Sequence, residues 1–90
     1  MYYVYFLKSI PVPEKFYVGY STDLRKRFIR HNQKTVRSTK AYAPWELIFY
    51  EAYKSRFDAK RREKYLKTTK GRKTLHLMLR FSLDKSESRL

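Results

Sequence analysis

The sequence contains no cysteine and no long apolar run, and both absences narrow the range of functions. Without cysteine, the chain has no disulfide framework and no thiolate metal site. The first apolar run, Tyr2 to Leu7, is only six residues long and has no basic region before it. It therefore predicts neither a signal peptide nor a membrane span, and the cytosol is the expected location.

Acidic residues are also scarce. The chain has 8 Asp and Glu residues against 22 Lys and Arg residues, which gives a net charge of +14. A domain this basic requires a polyanionic partner or an anionic surface. Nucleic acid is the leading candidate, ahead of a membrane surface and of assembly on ribosomal RNA.

The rest of the composition is typical of one small folded domain. Apolar residues make up 42% and aromatic residues 18% of the 90 residues. A chain of this size buries roughly 60% of its unfolded surface, enough for one modest core. We expect a domain over residues 1–82 and a polar C-terminal tail over residues 83–90.

Hydrophobic periodicity predicts an α+β fold, in which a small three-stranded sheet is flanked by helices in the order β-β-α-β-α-α. The first strand is apolar on both faces and is therefore expected to be central. The second is close enough to form a hairpin with it. The predicted strands cover residues 2–7, 16–20 and 44–53, the helices cover 23–34, 55–68 and 70–81, and a loop covers 33–43. Ser55 and Asp58 have the spacing of a capping box.

Two of the nine tyrosines are candidate site residues because of their positions in the predicted hairpin. Tyr3 and Tyr5 alternate with Val4, so both project from one face of the first strand. The hairpin can bring Tyr17 beside that face, and Gly19 lets a backbone or a ligand approach closely there. For any single tyrosine, core packing is the simpler interpretation, and only the full spacing distinguishes Tyr5 and Tyr17.

The first predicted helix carries an arginine and a histidine next to its apolar face. Leu24, Arg27, Phe28 and His31 share that face at helical spacing. An arginine aimed inward suits a phosphate, because it donates bidentate hydrogen bonds and keeps its charge. On geometry alone, two interpretations of Arg27 stay equally open: its side chain binds a phosphate, or it lies in solvent. His31 could bond a tyrosine hydroxyl or a phosphate, although a lone helix histidine is more often structural.

Glu63 is the most informative acidic residue. It shares one face of its helix with Ala59 and Leu66, and a carboxylate there is costly unless it is paired or bound to a cation. Two explanations stay open. Glu63 forms a local ion pair, or it holds a hard divalent ion, Mg²⁺ or Mn²⁺, together with waters and a substrate phosphate. The neighbours available for an ion pair are Arg61, Arg62 and Lys64.

Basic residues are dense in the first helix and again over residues 54–73, where ten Lys and Arg residues accompany two acids. Charge runs are usually solvated helix faces, but the net charge favours a phosphate-binding surface. The candidate nucleic-acid-binding residues are Lys8, Arg25, Lys26, Arg30, Lys34, Arg37, Lys40, Lys60, Arg61, Lys64 and Lys67.

This ordered set of residues resembles the GIY-YIG nuclease superfamily. More narrowly, it is similar to the compact single-domain bacterial branch, the UPF0213-like proteins, related to the nuclease modules of UvrC and the Slx1 resolvase. The resemblance covers about residues 2–80, and its specificity lies in the ordered set rather than in any one motif. The matching segments are Tyr3-Val4-Tyr5, Tyr17-Val18-Gly19, Asp23 to Asn32, Pro44-Trp45-Glu46-Leu47 and Ala59 to Glu63.

The resemblance implies a metal-dependent endonuclease that hydrolyses phosphodiester bonds in DNA, with a role in repair or recombination. It implies that Tyr17 is the general base or positions the attacking water, and that Tyr5 supports it or exchanges roles with it. It also implies that Arg27 stabilises phosphoryl charge, His31 tunes a tyrosine or touches phosphate, and Glu63 holds one Mg²⁺ or Mn²⁺ ion. An isolated tyrosine has a pKa of about 10, so a tyrosine base needs positive charge nearby.

The chain departs from the family pattern at one position, and two other functions stay open. The glycine of the first motif is Tyr3 here, which could narrow access to Tyr5. Members that cut chosen targets usually have extra DNA-binding domains or partners, so target choice stays open here, and a protein partner is one source of it. The alternatives to a nuclease are a non-catalytic nucleic-acid-binding module with the same fold and a protein assembled on ribosomal RNA. Metal-dependent cleavage would distinguish the nuclease from both alternatives.

Overall fold

A computed structural model of the chain describes residues 1–83. Within these residues, three strands and four α-helices follow one another, and the predicted α+β class and element order are confirmed apart from the additional helix α4. The elements are β1 (Tyr2–Ser9), β2 (Phe16–Ser21), α1 (Leu24–Asn32), β3 (Trp45–Tyr53), α2 (Arg56–Leu66), α3 (Thr69–Met78) and α4 (Arg80–Leu83), with a 3-10 helix over Lys40–Tyr42.

The central strand of the sheet is β1, as its apolar residues on both faces predict. The sheet is antiparallel with the strand order β2-β1-β3. Tyr5 on β1 pairs with Gly19 on β2 and with Tyr50 on β3. The predicted hairpin is therefore present, and it aligns the two tyrosine-bearing motifs side by side.

One face of the sheet is covered by α2 and α3. Ala59, Leu66 and Leu75 of these helices pack against Val4 and Phe6 of β1, and all five are almost completely buried. Because alternate residues of a strand point to opposite faces, this core leaves the odd-numbered tyrosines of β1 on the other side.

The opposite face is covered by α1. Leu24 and Phe28 of this helix pack against Tyr5, Leu7 and Trp45, at the helical spacing that predicted its apolar face. Its basic residues Arg25, Lys26 and Arg30 stay exposed. The sheet therefore separates α1 from α2, and the tyrosine motifs lie on the side of α1.

Short polar side chains begin the first two helices. Asp23 caps α1 through its side chain. Ser55 caps α2 by accepting a hydrogen bond from the Phe57 N–H at 3.2 Å. The reciprocal half of the predicted capping box does not form as expected, because the Asp58 carboxylate instead pairs with Arg61 at 3.2 Å.

The C-terminus of α1 is at Asn32, two residues before the predicted end. Lys34 has a φ of 61°, its N–H donates to the His31 carbonyl, and the Thr35 N–H donates to the Arg30 carbonyl, both at 3.3 Å. This is the hydrogen-bond pattern of a Schellman turn, which satisfies the last carbonyls of a helix and reverses the chain.

The last predicted helix is two helices in the structure. The first of them, α3, begins one residue earlier than predicted, because the Thr68 hydroxyl accepts a hydrogen bond from the Gly71 N–H at 3.0 Å. Helix α3 ends before Leu79, whose φ of −109° and ψ of 19° are not helical, and α4 follows. A Cβ at Gly71 would overlap the Tyr65 carbonyl oxygen, so glycine lets α3 pack directly onto the end of α2.

The segment over residues 33–43, predicted as a loop, is held beside the sheet by buried and partly buried hydrogen bonds. The Asn32 side chain accepts a hydrogen bond from the Trp45 N–H at 2.6 Å and donates to the Trp45 carbonyl at 3.2 Å. The Trp45 indole N–H donates to the carbonyl of Thr39 at 3.0 Å. Thr39 is completely buried and therefore has a fixed position beneath α1.

The predicted boundary between the domain over residues 1–82 and the tail over 83–90 stays a prediction. Leu83 ends α4, and residues 84–90 lie outside the described residues. None of the helices in residues 1–83 has the length and apolar character that crossing a membrane requires.

Candidate active site

A buried chain of hydrogen bonds connects β1, α1 and the segment before β3. The Tyr5 hydroxyl lies 2.7 Å from Nε2 of His31, and Nδ1 of His31 lies 2.7 Å from the Thr39 hydroxyl. The Thr39 hydroxyl also lies 3.4 Å from the Val36 carbonyl, which can only accept. These contacts favour one direction, in which Tyr5 donates to His31, His31 donates to Thr39 and Thr39 donates to the carbonyl.

Burial keeps this chain of groups neutral. Desolvation lowers the pKa of His31 to about 4, and the positive charge of Arg27 acts in the same direction. Desolvation raises the pKa of Tyr5 to about 12, although Arg27 opposes that rise. At neutral pH, His31 is therefore uncharged and Tyr5 keeps its proton, so this arrangement suits Tyr5 as a hydrogen-bond donor rather than as a base.

Gly19 provides the space that the Tyr5 ring occupies. A Cβ at Gly19 would overlap Cζ and the hydroxyl oxygen of Tyr5, and it would lie 2.8 Å from Cε2 of Tyr17. The ring of Tyr17 is 6.2 Å from that of Tyr5 and 5.0 Å from that of His31. Tyr5 is only 1% exposed, whereas Tyr17 is half-buried. Of the two tyrosines, Tyr17 is the one that solvent reaches.

Arg27 enters the same site from α1 with an unsatisfied donor. Its guanidinium is close enough to the Tyr5 hydroxyl to lower the pKa of that group, against the larger effect of burial. Its Nε is buried and has no hydrogen-bond partner among residues 1–83. Leaving a buried donor unpaired costs about 1–3 kcal/mol, so an acceptor supplied by a ligand would stabilise this site.

A groove of about 420 Å³ gives access to Arg27. We call it the basic groove, because three cationic side chains of α1 line one wall and the end of β2 with the following turn lines the other. Its lining residues are Tyr20, Ser21, Thr22, Asp23, Lys26, Arg27 and Arg30.

Glu63 on α2 is paired, but not with the neighbours that the sequence suggested. Its carboxylate lies 2.9 Å from the ammonium of Lys67 and 3.9 Å from that of Lys60, and its side chain is 17% exposed. Residues three and four positions away lie on the same side of a helix, which is why these lysines are its partners. The suggested partners were Arg61, Arg62 and Lys64.

The Glu63 carboxylate is a ligand of the type that a hard divalent ion binds, and in this structure two lysines contact it. Mg²⁺ is commonly held by one or two carboxylates together with substrate phosphates. Within residues 1–83, no group of three or more His, Cys, Asp or Glu side chains could hold a metal ion, so Glu63 would be a single protein ligand. Its charge adds slightly to the burial that raises the pKa of Tyr5, so the carboxylate lies within electrostatic range of that tyrosine.

Most of the predicted nucleic-acid-binding residues lie on the surface. Ten of the eleven are exposed, and Lys8 is half-buried. Lys26 and Arg30 line the basic groove. The ammonium of Lys60 lies 4.0 Å above the centre of the Tyr20 ring, which also lines that groove. Cationic residues from α1 and α2 therefore meet around the basic groove.

Sequence reasoning missed Thr39 and the ion pair between Glu51 and Arg62. Thr39 lies in a segment without periodicity, so nothing in the sequence marks it as a partner of His31. Arg62 donates two hydrogen bonds to Glu51, at 2.9 and 3.1 Å, and thereby fastens α2 to β3. This pair fixes the helix that carries Glu63, and residues eleven positions apart give no local signal of such a contact.

Known proteins resemble this chain over most of its length. Residues 1–76 match the GIY-YIG catalytic domain. A UPF0213 protein of Staphylococcus saprophyticus is 32% identical over 77 residues, which cover 84% of this chain and 92% of that protein. A UPF0213 protein of Bacillus pumilus is 35% identical over 77 residues, which cover 83% of this chain and 76% of that protein. The resemblance predicted from the motifs is confirmed, and the chain belongs to the GIY-YIG nuclease family beside the compact UPF0213 proteins of bacteria.

Proposed function

We propose that this protein is a divalent-metal-dependent endonuclease that hydrolyses phosphodiester bonds in DNA. The observation that carries the proposal is the buried Nε of Arg27, which has no partner among residues 1–83 and belongs to a residue that lines the basic groove. A phosphate oxygen would complete this donor with a charge-assisted hydrogen bond. The net charge of +14 favours the approach of a polyanion.

In the proposed reaction, Tyr17 orients the attacking water and, when deprotonated, takes its proton. The water oxygen forms a bond to phosphorus, the bond to the leaving oxygen breaks, and that oxygen takes a proton from solvent. Arg27 stabilises the negative charge that grows on the phosphoryl oxygens. Tyr5 donates to His31 and holds the strand and helix in place beside Tyr17, so it is a positioning residue.

Glu63 is the residue that would hold one Mg²⁺ or Mn²⁺ ion. Such an ion, when bound, supplies a Lewis acid that stabilises charge on phosphoryl oxygens. Glu63 would have to give up its contact with Lys67, now 2.9 Å long, to hold the ion. Lys60 and Lys67 would then be released to contact the phosphate backbone.

The competing function is a nucleic-acid-binding module that has this fold and does not cut. Glu63 favours the nuclease, because a carboxylate repels phosphate and a pure binder gains nothing from one on a partly buried helix face. DNA rather than RNA as substrate, a role in repair or recombination, a cytoplasmic location and a protein partner that selects the target belong to the same proposal. The family resemblance supports the nuclease activity, and the basic composition supports a nucleic-acid substrate.

Cleavage assays test the proposal directly. Labelled single-stranded, duplex, flapped and branched DNA, together with RNA, would be incubated with the protein in Mg²⁺, Mn²⁺ or EDTA. Glu63→Gln is compared with Glu46→Gln, a matched change at an exposed carboxylate of β3. We expect cleavage that needs metal, survives in Glu46→Gln and falls roughly 100-fold or more in Glu63→Gln. Binding without cleavage on every substrate would favour the binding module.

A further inference from the structure

A second groove lies beside the basic groove, and the two share Thr22 and Asp23 at the N-terminus of α1. Its volume is about 580 Å³, within the range of about 300–1,000 Å³ that is typical of small-ligand pockets. We call it the aromatic groove. Between α1 and the strands β1 and β3, it is lined by Tyr3, Leu24, Arg25, Phe28, Leu47 and Tyr50.

The aromatic groove presents ring surfaces to solvent in a fixed arrangement. The rings of Tyr3 and Tyr50 have centres 6.1 Å apart and planes inclined at 61°, so they form a corner instead of stacking on each other. Tyr50 is 52% exposed, and Tyr3 and Phe28 are half-buried. The two tyrosines are diagonal neighbours on adjacent strands, so the sheet holds them at this spacing.

Tyr3 has a different effect from the one that its position in the first motif suggested. It replaces the family's glycine and was expected to narrow access to Tyr5. In the structure, Tyr5 is already buried under α1, and Tyr3 lines the neighbouring groove. The departure from the motif therefore adds an aromatic surface next to the candidate active site.

The charge around the aromatic groove indicates what it would bind. Arg25 lines it directly, and across the shared Thr22 and Asp23 lie the cationic residues of the basic groove. Among residues 1–83, Asp23 is the one acidic residue that lines the groove, and its Oδ1 accepts a hydrogen bond from the Lys26 N–H at 3.0 Å. An apolar, aromatic groove bordered by positive charge suits a ligand that is flat at one end and anionic at the other.

We propose that the aromatic groove binds an unpaired nucleobase of the strand whose phosphate contacts Arg27. The inference rests on the proposed function and adds a substrate class, DNA with an unpaired nucleotide next to the bond that is cut. Bases within a duplex are stacked on each other, so only a single strand, a flap or a displaced end can offer a free face. Stacking on tyrosine tolerates any base, because every base has a π-face.

Fluorescence of a single-stranded oligonucleotide that carries 2-aminopurine tests this inference, because stacking quenches that base. The measurement is made in EDTA, so that no cleavage intervenes. Tyr50→Ala is compared with Phe57→Ala, which removes a ring of 76% exposure from the start of α2. We expect quenching by the unmodified protein and by Phe57→Ala. In Tyr50→Ala we expect loss of quenching and roughly 5- to 100-fold weaker single-strand binding, with unchanged duplex binding.

Several results would overturn the inference. Equal losses of single-strand and duplex affinity in Tyr50→Ala would mean that the groove does not read an unpaired base, and Tyr50→Leu serves if the alanine variant does not fold. If neither the single-strand nor the duplex affinity changed, the groove would not bind DNA, and a protein partner would be the ligand to test instead. Metal-dependent cleavage without any quenching would refute this inference alone. Quenching without cleavage of any substrate would support the base site and refute the proposed hydrolysis.

Discussion

Nε2 of His31 lies 2.7 Å from the Tyr5 hydroxyl in a space that solvent does not reach. Because His31 belongs to α1 and Tyr5 to β1, their contact fixes the helix that carries Arg27 against the strand that carries the first tyrosine motif. Burial lowers the pKa of His31 to about 4, so the ring is a neutral acceptor for the tyrosine proton. This assignment leaves Tyr17 as the tyrosine that a substrate reaches.

Removing one hydroxyl from each tyrosine separates their roles. We expect Tyr17→Phe to lower the single-turnover cleavage rate by roughly 10²- to 10⁴-fold, the contribution of a general base, with little change in the free energy of unfolding. Tyr5→Phe should lower the free energy of unfolding by about 1–3 kcal/mol, because buried Nε2 of His31 loses its partner. Urea unfolding and single-turnover kinetics on both variants measure the two effects. Full cleavage by Tyr17→Phe would exclude Tyr17 as the base.

The buried imidazole makes stability depend on pH. The pKa of His31 falls from 6.5 to about 4 on folding, so between these values the unfolded chain binds a proton that the folded chain does not. The contribution of His31 is therefore complete above pH 6.5 and is lost as pH falls toward 4. From pH 7 to pH 5, we expect the free energy of unfolding to fall by about 2 kcal/mol from this residue.

Urea unfolding at several pH values, with two histidine variants, measures that dependence. His31→Gln should remove the contribution, whereas His76→Gln, at an exposed position of α3, should retain it. If all three proteins lose the same stability over this range, the loss belongs to carboxyl groups and the neutral buried state of His31 is wrong.

Gly19 is needed for space rather than for an unusual backbone angle. Since an added Cβ would overlap the buried phenol of Tyr5, Gly19→Ala should lower the free energy of unfolding by roughly 1–3 kcal/mol or more. Tyr5→Leu removes Cζ and the hydroxyl from that space. In a double-mutant cycle, Gly19→Ala combined with Tyr5→Leu should therefore be more stable than the sum of the single changes by about 0.5–3 kcal/mol. Simple additivity would mean that the two side chains do not compete.

Local patterns predicted the parts of the site that local physics determines. The helical spacing of Leu24 and Phe28 placed Arg27 and His31 on the face of α1 that packs on the sheet, and strand alternation placed Tyr3 and Tyr5 on one face of β1. These two features depend on periods of 3.6 and two residues, which the sequence displays directly. Glycine in the second motif predicted a close approach by a backbone or a ligand, and the group that occupies the space is instead the Tyr5 side chain.

The remaining parts depend on contacts between distant residues. Thr39 bonds His31 from a segment with no periodic signal, and Glu51 pairs with Arg62 across two elements. The break between α3 and α4 at Leu79 was not predicted either, because the leucines on both sides of it continue a helical pattern. Such features are determined by tertiary packing, and a single sequence shows them only after the fold has placed the partners together.

Lys34 occupies a backbone conformation that glycine adopts more easily. Its φ of 61° lies in the left-handed region, which costs a residue with a Cβ roughly 1–2 kcal/mol. Glycine also has more conformational entropy in the unfolded chain, which reduces the gain. Lys34→Gly should therefore raise the free energy of unfolding, measured by urea titration, by about 1 kcal/mol. Gln33→Gly, one residue earlier at a φ of −82°, should lower it. A loss of stability in Lys34→Gly would show that the lysine side chain contributes more than the turn costs.

The ion pair between Lys67 and Glu63 competes with the proposed metal ion. The ammonium lies 2.9 Å from the carboxylate, and the lysine side chain is 47% exposed, so the pair contributes only about 0.2–1 kcal/mol. Lys67→Met should therefore lower the Mg²⁺ concentration for half-maximal cleavage by roughly 1.5- to 5-fold. The titration is made at saturating DNA, so that weaker substrate binding does not enter.

Lys64→Met is the matched control for this titration. Lys64 is exposed on the same helix, and within residues 1–83 Glu63 pairs with Lys60 and Lys67 rather than with it. Its removal changes the net charge equally and should leave the metal requirement unchanged. A higher Mg²⁺ requirement in Lys67→Met alone would mean that this lysine assists metal-dependent cleavage, and it would contradict the exchange proposed at Glu63. An equal decrease in both variants would assign the effect to net charge, because the loss of any cation from α2 would then favour the ion.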